Sequence, residues 1–134
     1  NFYKSNNWRI IIPKIKLDAP IEEGTGGEIL KRYVGHMKET EILNGNVVLA
    51  AHNRGYRNNF FQEIKKLEKE DEILYQVENE KRNYTVIENK VIKETNLSEI
   101  GSTSYNRLTL ITCEENKKEY RRCVIALENN IKGN

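Results

Sequence analysis

The stretch Leu108-Thr-Leu-Ile-Thr-Cys113 is the most informative part of this chain. It is an apolar, β-branched run that ends on threonine and cysteine, so it predicts a strand that delivers a cysteine to its exposed end. A second strand-like run covers 121–127 and begins with two arginines. Upstream, the apolar run 47–51 ends on His52. Cysteine, histidine and arginine at the ends of neighbouring strands are the groups that acyl transfer by a thiol requires.

The pattern of apolar residues predicts a mostly β protein. Six stretches have period-two or continuous apolar patterns and predict strands: 9–15, 45–51, 72–77, 83–92, 108–112 and 121–127. Within the fourth stretch, Asn89 and Lys90 separate apolar residues, which suggests a hairpin or a bent pair of strands. We expect one short amphipathic helix over 59–69 and single helical turns at 27–33 and 95–99. Frequent strands with short connections favour a mostly antiparallel β-barrel.

Length and charge narrow the class of protein. A chain of 134 residues is long enough for one domain with one hydrophobic core, and we expect residues 1–134 to form it. The formal charge is only +2, and basic residues do not cluster with aromatic ones, so we expect no nucleic-acid partner. The longest apolar run is too short to span a bilayer, and we find no signal peptide. Because the first residue is Asn1 and not methionine, we expect an excised soluble domain.

The two cysteines, Cys113 and Cys123, lie ten residues apart. Neither a second pair nor clustered histidines accompany them, so we expect no metal site. A disulfide between them is conceivable in an exported protein, but it would abolish a Cys113 nucleophile, so the two interpretations exclude each other. Cys123 lies inside an apolar run, where a small buried thiol is the expected role.

Taken together, these segments resemble the sortases, the cysteine transpeptidases of Gram-positive cell surfaces. The resemblance rests on Thr109-Leu-Ile-Thr-Cys113, on the Arg121-Arg122 pair and on the run from Gly45 to Asn53. Three further segments follow in the family's order: 12–17, which looks like its first strand, 34–37 and 60–73. The resemblance implies a closed eight-stranded sortase-type barrel over about 8–128, with one or two short helices. It also implies that an N-terminal membrane anchor is missing from this chain.

Cys113 is the candidate nucleophile, because a thiol with a lowered pKa or a nearby base can attack at neutral pH. His52, at the end of an apolar run, is the candidate general acid and base. The only other histidine, His36, stands in a loop-like context and aligns with a non-catalytic position of the family. Asn53 could orient the ring of His52 or be an ordinary turn residue. Thr112 could bind the substrate, support the oxyanion site or simply be a β-former.

The candidate catalytic arginine is Arg121. A guanidinium is always charged, and its rigid fork of donors suits a developing oxyanion. Successive strand residues point to opposite sides, so only one of Arg121 and Arg122 can face the cleft. Aligning 124–126 with the family's apolar ending selects Arg121, whereas the spacing of the pilus-building branch favours Arg122.

The resemblance also implies a reaction and its partners. Cys113 would cleave a Leu-Pro-x-Thr-Gly-like sorting signal between threonine and glycine and pass the acyl group to an amine. That amine would belong to a cell-wall precursor, or to a pilin lysine in the pilus-building branch. Such an enzyme works at the outer face of the cell membrane, where it is anchored. Class D fits the sequence best and class A next, and side chains of 95–106 are expected to set specificity.

Two alternatives to a sortase remain open from the sequence, and so does the question of cofactors. In a papain-type cysteine hydrolase the nucleophile precedes the histidine and opens a helix, which is the reverse of the order here. A non-enzymatic peptide-binding barrel would carry a Cys113 no more reactive than a free thiol. We expect no cofactor, although calcium could act through Glu22, Glu23 and Glu28, as in some class A members.

Overall fold

The computed structural model describes residues 7–114 and 117–129, and within them the chain forms a barrel of eight strands. The strands are β1 (Trp8–Ile12), β2 (Leu17–Glu23), β3 (Val34–His36), β4 (Asn46–Ala50), β5 (Glu72–Val77), β6 (Glu80–Lys93), β7 (Arg107–Glu114) and β8 (Lys117–Glu128). One short helix, α1 (Gly27–Leu30), follows β2. Single 3₁₀ turns lie at Pro13–Ile15, Ile64–Lys66 and Ser98–Ile100.

The strands follow one another around the barrel in the order β1-β2-β3-β4-β7-β8-β6-β5, and β5 pairs with β1 to close it. Two pairs, β2 with β3 and β4 with β7, are parallel, and the others are antiparallel. The closed, mostly antiparallel eight-stranded barrel expected from the sequence is therefore confirmed.

The inner and outer faces of β7 differ in a way that positions the site. Leu108 and Leu110 point into the barrel, where they pack with Val124 of β8 in the main core. Because strand residues alternate between faces, Ile111 and Cys113 point outward. Ile111 packs against a smaller outer cluster of Ile92, Cys123 and Ile125. The cysteine thus lies on the outer surface of the barrel, beside a narrow apolar patch.

The predicted helix over 59–69 is wrong, because only Ile64–Lys66 forms a 3₁₀ turn. The buried residues of this segment are Phe61, Ile64 and Leu67, which recur every third position and not at the helical spacing counted from Phe60. The amide of Asn89 on β6 donates to the backbone oxygens of Ile64, Lys65 and Leu67. These bonds satisfy carbonyls that would otherwise need a longer helix or water.

The predicted hairpin within 83–92 is also wrong. Residues Glu80–Lys93 form one strand that bends at a bulge between Val86 and Glu88, so the bent-strand alternative applies. The predicted first strand over 9–15 is too long, because it ends at Ile12 and Pro13 opens a 3₁₀ turn. The segment 12–17 is accordingly the connection between β1 and β2. The sequence reading missed β2 as a strand altogether.

Close backbone packing holds α1 and the end of β2 against β3. A Cβ atom on Gly35 would lie 2.3 Å from the backbone oxygen of Gly24 and 2.8 Å from Cδ2 of Leu30. A side chain at this position therefore cannot fit without moving the backbone. Glycine at 35 is what lets this corner of the barrel close.

Candidate active site

Parallel pairing of β4 and β7 brings the histidine and the cysteine to one end of the barrel. The register runs from Asn46 opposite Arg107 to Ala50 opposite Ile111. His52 follows β4 by two residues, and Cys113 stands two residues beyond the last paired position of β7. Because parallel strands end at the same edge, the two side chains share that edge although 61 positions of sequence separate them.

Side-chain hydrogen bonds on both sides of His52 fasten its loop to the end of β7. The Thr112 hydroxyl donates to the backbone oxygen of Ala51 at 2.7 Å, and this contact is buried. The Asn53 amide donates to the backbone oxygen of Cys113 at 2.6 Å. The two bonds thus bracket His52 and tie the backbone on either side of it to residues 112 and 113.

The two thiols have opposite environments, and both are free. Cys113 is exposed at the barrel end, where a substrate can reach it. Cys123 is buried in the outer cluster, and burial raises the pKa of its thiol to about 11. Since the thiolate is the nucleophilic form, Cys123 is chemically inert at neutral pH, as expected for a small core residue.

The register between β7 and β8 separates the two arginines. Arg121 is directly opposite Cys113, so both side chains lie on the outer face, whereas Arg122 is opposite Thr112. The Arg122 guanidinium is held by both carboxylate oxygens of Glu114, at 3.2 and 3.1 Å, and by the side-chain oxygen of Asn89. Arg122 therefore has a structural set of partners, and Arg121 is the arginine that shares a surface with the cysteine.

The partners of Arg121 are two backbone oxygens and one partly exposed carboxylate. Its guanidinium donates to the backbone oxygens of Lys118 and Tyr120 and to the carboxylate of Glu94 at 3.0 Å. The Arg121 and Glu94 side chains are 29% and 44% exposed, so solvent screens this ion pair. An anionic group that forms beside Cys113 can compete for the same donors.

An exposed tyrosine covers the candidate acid and base. The ring of Tyr56 stacks on His52, with centroids 3.6 Å apart and planes 6° from parallel. Partial burial lowers the pKa of His52 below its ordinary value, because desolvation disfavours the charged imidazolium. His52 is therefore neutral at neutral pH and can accept a proton. The sequence reading did not single out Tyr56, whose only signal was an aromatic residue four positions after the histidine.

His36 is a structural residue. It ends β3, contrary to the expected loop, and its side chain is buried. Nδ1 lies 2.9 Å from the Glu23 carboxylate, while Nε2 lies 2.7 Å from the backbone oxygen of Glu41 and 3.1 Å from the Thr40 hydroxyl. Both ring nitrogens are occupied inside the fold, so His36 has no free nitrogen for catalysis.

Two of the three acidic residues considered for calcium have other partners. Glu23 binds His36, and Glu28 pairs with Lys31 at 3.1 Å. Among residues 7–114 and 117–129, no group of three or more histidine, cysteine or acidic side chains is arranged to hold a metal ion.

A polar network holds the connection between β6 and β7 onto the outer face of the barrel, at the ends of β4 and β7 opposite to His52 and Cys113. Arg107 donates to both the carboxylate and the backbone oxygen of Glu99, at 2.7 and 2.9 Å. Lys90 donates to the other carboxylate oxygen of Glu99 at 2.6 Å. Asn46 donates to the backbone oxygens of Glu99 and Gly101. This network, which we call the Glu99 clamp, was not predicted, because its members are scattered over four segments of sequence.

The free thiol of Cys113, His52 and Arg121 thus lie at one end of a closed barrel. The chain belongs to the sortase family, since the model of the sortase domain matches residues 10–129. Sortases are cysteine transpeptidases of the Gram-positive cell envelope, and they act on sorting signals. In the part of the chain that the structure describes, no helix has the length and apolarity needed to cross a membrane.

Individual relatives show the extent of the similarity. The chain is 33% identical over 117 residues to Sortase A of Listeria monocytogenes, an alignment that covers 86% of this chain and 52% of that protein. It is 31% identical over 105 residues to Sortase D of Bacillus subtilis, covering 76% of this chain and 51% of that protein. The chain thus spans about half the length of the curated relatives it matches. Among solved structures, the pilus-related Sortase C of Group B Streptococcus superposes with a TM-score of 0.86 at 28% identity, covering 96% of this chain and 69% of that one.

Proposed function

We propose that this chain is the catalytic part of a sortase that cleaves a Leu-Pro-x-Thr-Gly-like sorting signal and transfers the acyl part to an amine. One observation carries the proposal: the exposed Cys113 directly faces Arg121 across β7 and β8, and two hydrogen bonds bracket His52 against the same strand end. Membership of the sortase family supports it.

In the first half of the proposed reaction, Cys113 Sγ attacks the carbonyl carbon of the threonine in the signal. The thiol proton passes to His52, which is neutral because burial lowers its pKa. Arg121 exchanges its weak contact with Glu94 for the developing oxyanion. When the oxyanion collapses, the carbon–nitrogen bond breaks and His52 gives its proton to the departing glycine amine. A thioester to Cys113 remains.

In the second half, an incoming amine loses a proton to His52 and attacks the thioester carbonyl. The new carbon–nitrogen bond forms, the carbon–sulfur bond breaks, and Cys113 leaves with its electron pair and takes the proton from His52, which regenerates the site. Water can do the same more slowly, because transfer exceeds hydrolysis only when the amine is better positioned than water. We expect slow hydrolysis alone and faster turnover with a suitable amine.

Thr112 and Asn53 act as positioning residues in this proposal. The Thr112 hydroxyl is committed to Ala51 and its side chain is buried, which favours the supporting alternative over direct binding of substrate. The Asn53 amide is committed to the backbone of Cys113, so it orients the loop that carries His52 and not the ring itself.

The test is intact-protein mass spectrometry with a panel of Leu-Pro-x-Thr-Gly peptides, with and without an amine acceptor. Wild type should acquire a thioester adduct that the amine converts to an amide product, and Cys113→Ala should acquire none. Cys123→Ala is the matched control and should keep the adduct, because its thiol is buried and held protonated. Transfer that survives in Cys113→Ala would overturn the proposal.

The acceptor, class and location are further parts of the proposal. We propose an amine of a peptidoglycan precursor as the acceptor, and similarity to proteins named Sortase A and Sortase D is compatible with class D or class A. The likeness to a pilus-related Sortase C keeps a pilin lysine as the second candidate. For the full-length protein we propose an anchor in the cell membrane, with this domain on the outer side. We propose no cofactor.

A further inference from the structure

A basic groove lies next to His52 and takes no part in the chemistry described above. Its walls are formed by Lys31, Arg32, Tyr56, Arg57 and Asn58, around a volume of about 520 Å³. Three of these five residues are cations and none is acidic. A groove of this size has room for a small charged group together with some of its hydration.

The groove lies on the side of β4 away from the cysteine. In the barrel β4 is flanked by β7, which carries Cys113, and by β3, against which α1 packs. Lys31 and Arg32 directly follow α1, and the Asn58 amide ties their segment to the loop after β4 by donating to the Lys31 backbone oxygen at 2.7 Å. His52 therefore stands between the nucleophile and the groove.

Tyr56 connects the groove to the catalytic site physically. It lines the groove and stacks on His52 at a centroid distance of 3.6 Å. A molecule held in the groove is thus one aromatic ring away from the imidazole. The groove is thus separate from the outer face of β7 and β8, where Cys113 and Arg121 lie.

The cations of the groove lack strong counter-ions. Within residues 7–114 and 117–129, neither Arg32 nor Arg57 forms an ion pair with a carboxylate. Lys31 pairs with Glu28, but the two side chains are 61% and 84% exposed, so the pair neutralises little. Arg32 and Arg57, together with the weakly paired Lys31, create a local positive potential that attracts anions.

We propose that this groove binds an anionic group, a carboxylate or a phosphate, carried by the amine acceptor, and thereby places the amine beside His52. The inference rests on the proposed function and names the acceptor more closely: an amine with a negative charge a few bonds away. Such an anchor supplies the positioning that lets an amine compete with water for the thioester. Arg32 and Arg57 have the forked donors suited to either anion.

The experiment uses two matched pairs of amines that differ only in the anion. Glycylglycine is compared with glycylglycinamide, and O-phosphoethanolamine with ethanolamine. For each pair, the ratio of transfer rates is measured on the Leu-Pro-x-Thr-Gly peptide that wild type hydrolyses fastest. In parallel, NMR titration of the ¹⁵N-labelled chain with the same amines, without any peptide, reports binding at Arg32 and Arg57 directly.

For wild type at low ionic strength, we expect at least one charged amine to exceed its neutral partner about tenfold, since two to three screened ion pairs contribute to its binding. The preference should fall towards equality in 1 M salt, where the Debye length is about 3 Å. In the double variant Arg32→Gln/Arg57→Gln the ratio should drop to about one. Lys81→Gln, which removes an exposed lysine at the opposite end of the barrel, should keep the wild-type ratio.

The two readouts separate the failure of this inference from failure of the proposed function. A preference in the carboxylate pair alone, or in the phosphate pair alone, identifies which anion the groove accepts. Equal rates within both pairs, or a preference that persists in the double variant, would overturn the inference while leaving transpeptidation intact. If no peptide is cleaved, the NMR titration still decides. Anion binding by the groove is refuted if charged and neutral amines cause the same chemical-shift changes at Arg32 and Arg57.

Discussion

Replacing Glu99 by glutamine tests whether the Glu99 clamp holds the β6–β7 connection through charge. The substitution keeps the size of the side chain but removes the negative charge between Lys90 and Arg107. An amide nitrogen then faces one of the two cationic donors, so at least one of these bonds, of 2.6 and 2.7 Å, is lost. The surrounding hydrogen bonds from Asn46 to the backbone are unaffected.

The expected loss of stability follows from the burial of the three side chains. Glu99 and Arg107 are 15% and 9% exposed, so the bond between them is in the range of about 1.5–3 kcal/mol for hydrogen bonds to charged groups. The Lys90 side chain is 32% exposed, and its pair with Glu99 contributes about 0.5–1 kcal/mol. The amide of the introduced glutamine recovers part of this lost stabilisation, because its oxygen still accepts from Arg107 and because an amide costs less to desolvate than a carboxylate. We expect a net loss of about 2 kcal/mol, or a melting temperature lower by about 6–10 °C.

The effect should depend on pH with a definite sign. The hydrogen bond from Lys90, followed by the one from Arg107, holds the pKa of Glu99 below its ordinary value. A carboxyl with a lowered pKa in the folded state stabilises the protein above its unfolded-state pKa, and this stabilisation is lost as the pH falls through the folded-state value. The difference in the free energy of unfolding between wild type and Glu99→Gln should therefore be largest at neutral pH and should become smaller as the pH falls into the acid range.

The melting temperatures of wild type and Glu99→Gln are measured from neutral to acid pH. The KM and kcat of peptide hydrolysis are measured for both proteins alongside. Because the clamp holds the connection whose side chains are expected to set specificity, and lies away from the reacting atoms, KM for the peptide should rise more than kcat falls. The matched control is Glu80→Gln, an exposed carboxylate at the far hairpin, which should change stability by less than about 0.5 kcal/mol. Two results would refute the reasoning: equal melting temperatures for Glu99→Gln and Glu80→Gln, or a difference in melting temperature between wild type and Glu99→Gln that is as large in acid as at neutral pH.

Four further substitutions probe the site and its support. Arg121→Gln should lower kcat/KM for peptide hydrolysis by about 10²–10³, whereas Arg122→Gln should mainly lower the melting temperature, because its partners are structural. Tyr56→Ala should raise the pKa of His52 towards its ordinary value by exposing the ring, so the acid limb of the pH–rate profile moves to higher pH. Gly35→Ala should destabilise the fold by about 2–3 kcal/mol in urea unfolding, because its Cβ would meet backbone at 2.3 Å.

Each of these expectations has an outcome that contradicts it. Equal rate losses for the two arginine variants would remove the distinction that we draw between their faces. An unmoved acid limb in Tyr56→Ala would mean that the stacked ring does not control the solvation of His52. An unchanged unfolding midpoint for Gly35→Ala would mean that this corner of the barrel adjusts freely.

The parts of the fold that the sequence predicted well are those where one face is continuously apolar. The strands β4, β7 and β8 carry buried β-branched runs, so their pattern depends little on distant residues. The helix predicted over 59–69 failed because its buried positions follow a three-residue period that depends on the Asn89 amide, a partner more than twenty residues away. The strand β2 was missed because Pro20 and charged residues interrupt its alternation.

The candidate site likewise has residues that a local sequence pattern indicates and features that only the three-dimensional structure reveals. Cys113 and His52 could be singled out as candidates because each follows an apolar run. The choice between Arg121 and Arg122 needed the register of β8 against β7, which no local pattern records. The basic groove and the stacking of Tyr56 depend on how the loop after β4 folds back towards α1, and that geometry is set by tertiary contacts such as the bond from Asn58 to Lys31.

The bond from Asn53 to the end of β7 has a second consequence. The ladder between β4 and β7 stops at Ile111, so β7 extends beyond its neighbour on that side and presents an unpaired strand edge. Such an edge is a template on which another extended chain can add a strand, which leads to aggregation. The Asn53 amide occupies the Cys113 backbone oxygen on this edge. The side chain that steadies the histidine loop therefore also shields this edge of β7 from unwanted strand pairing.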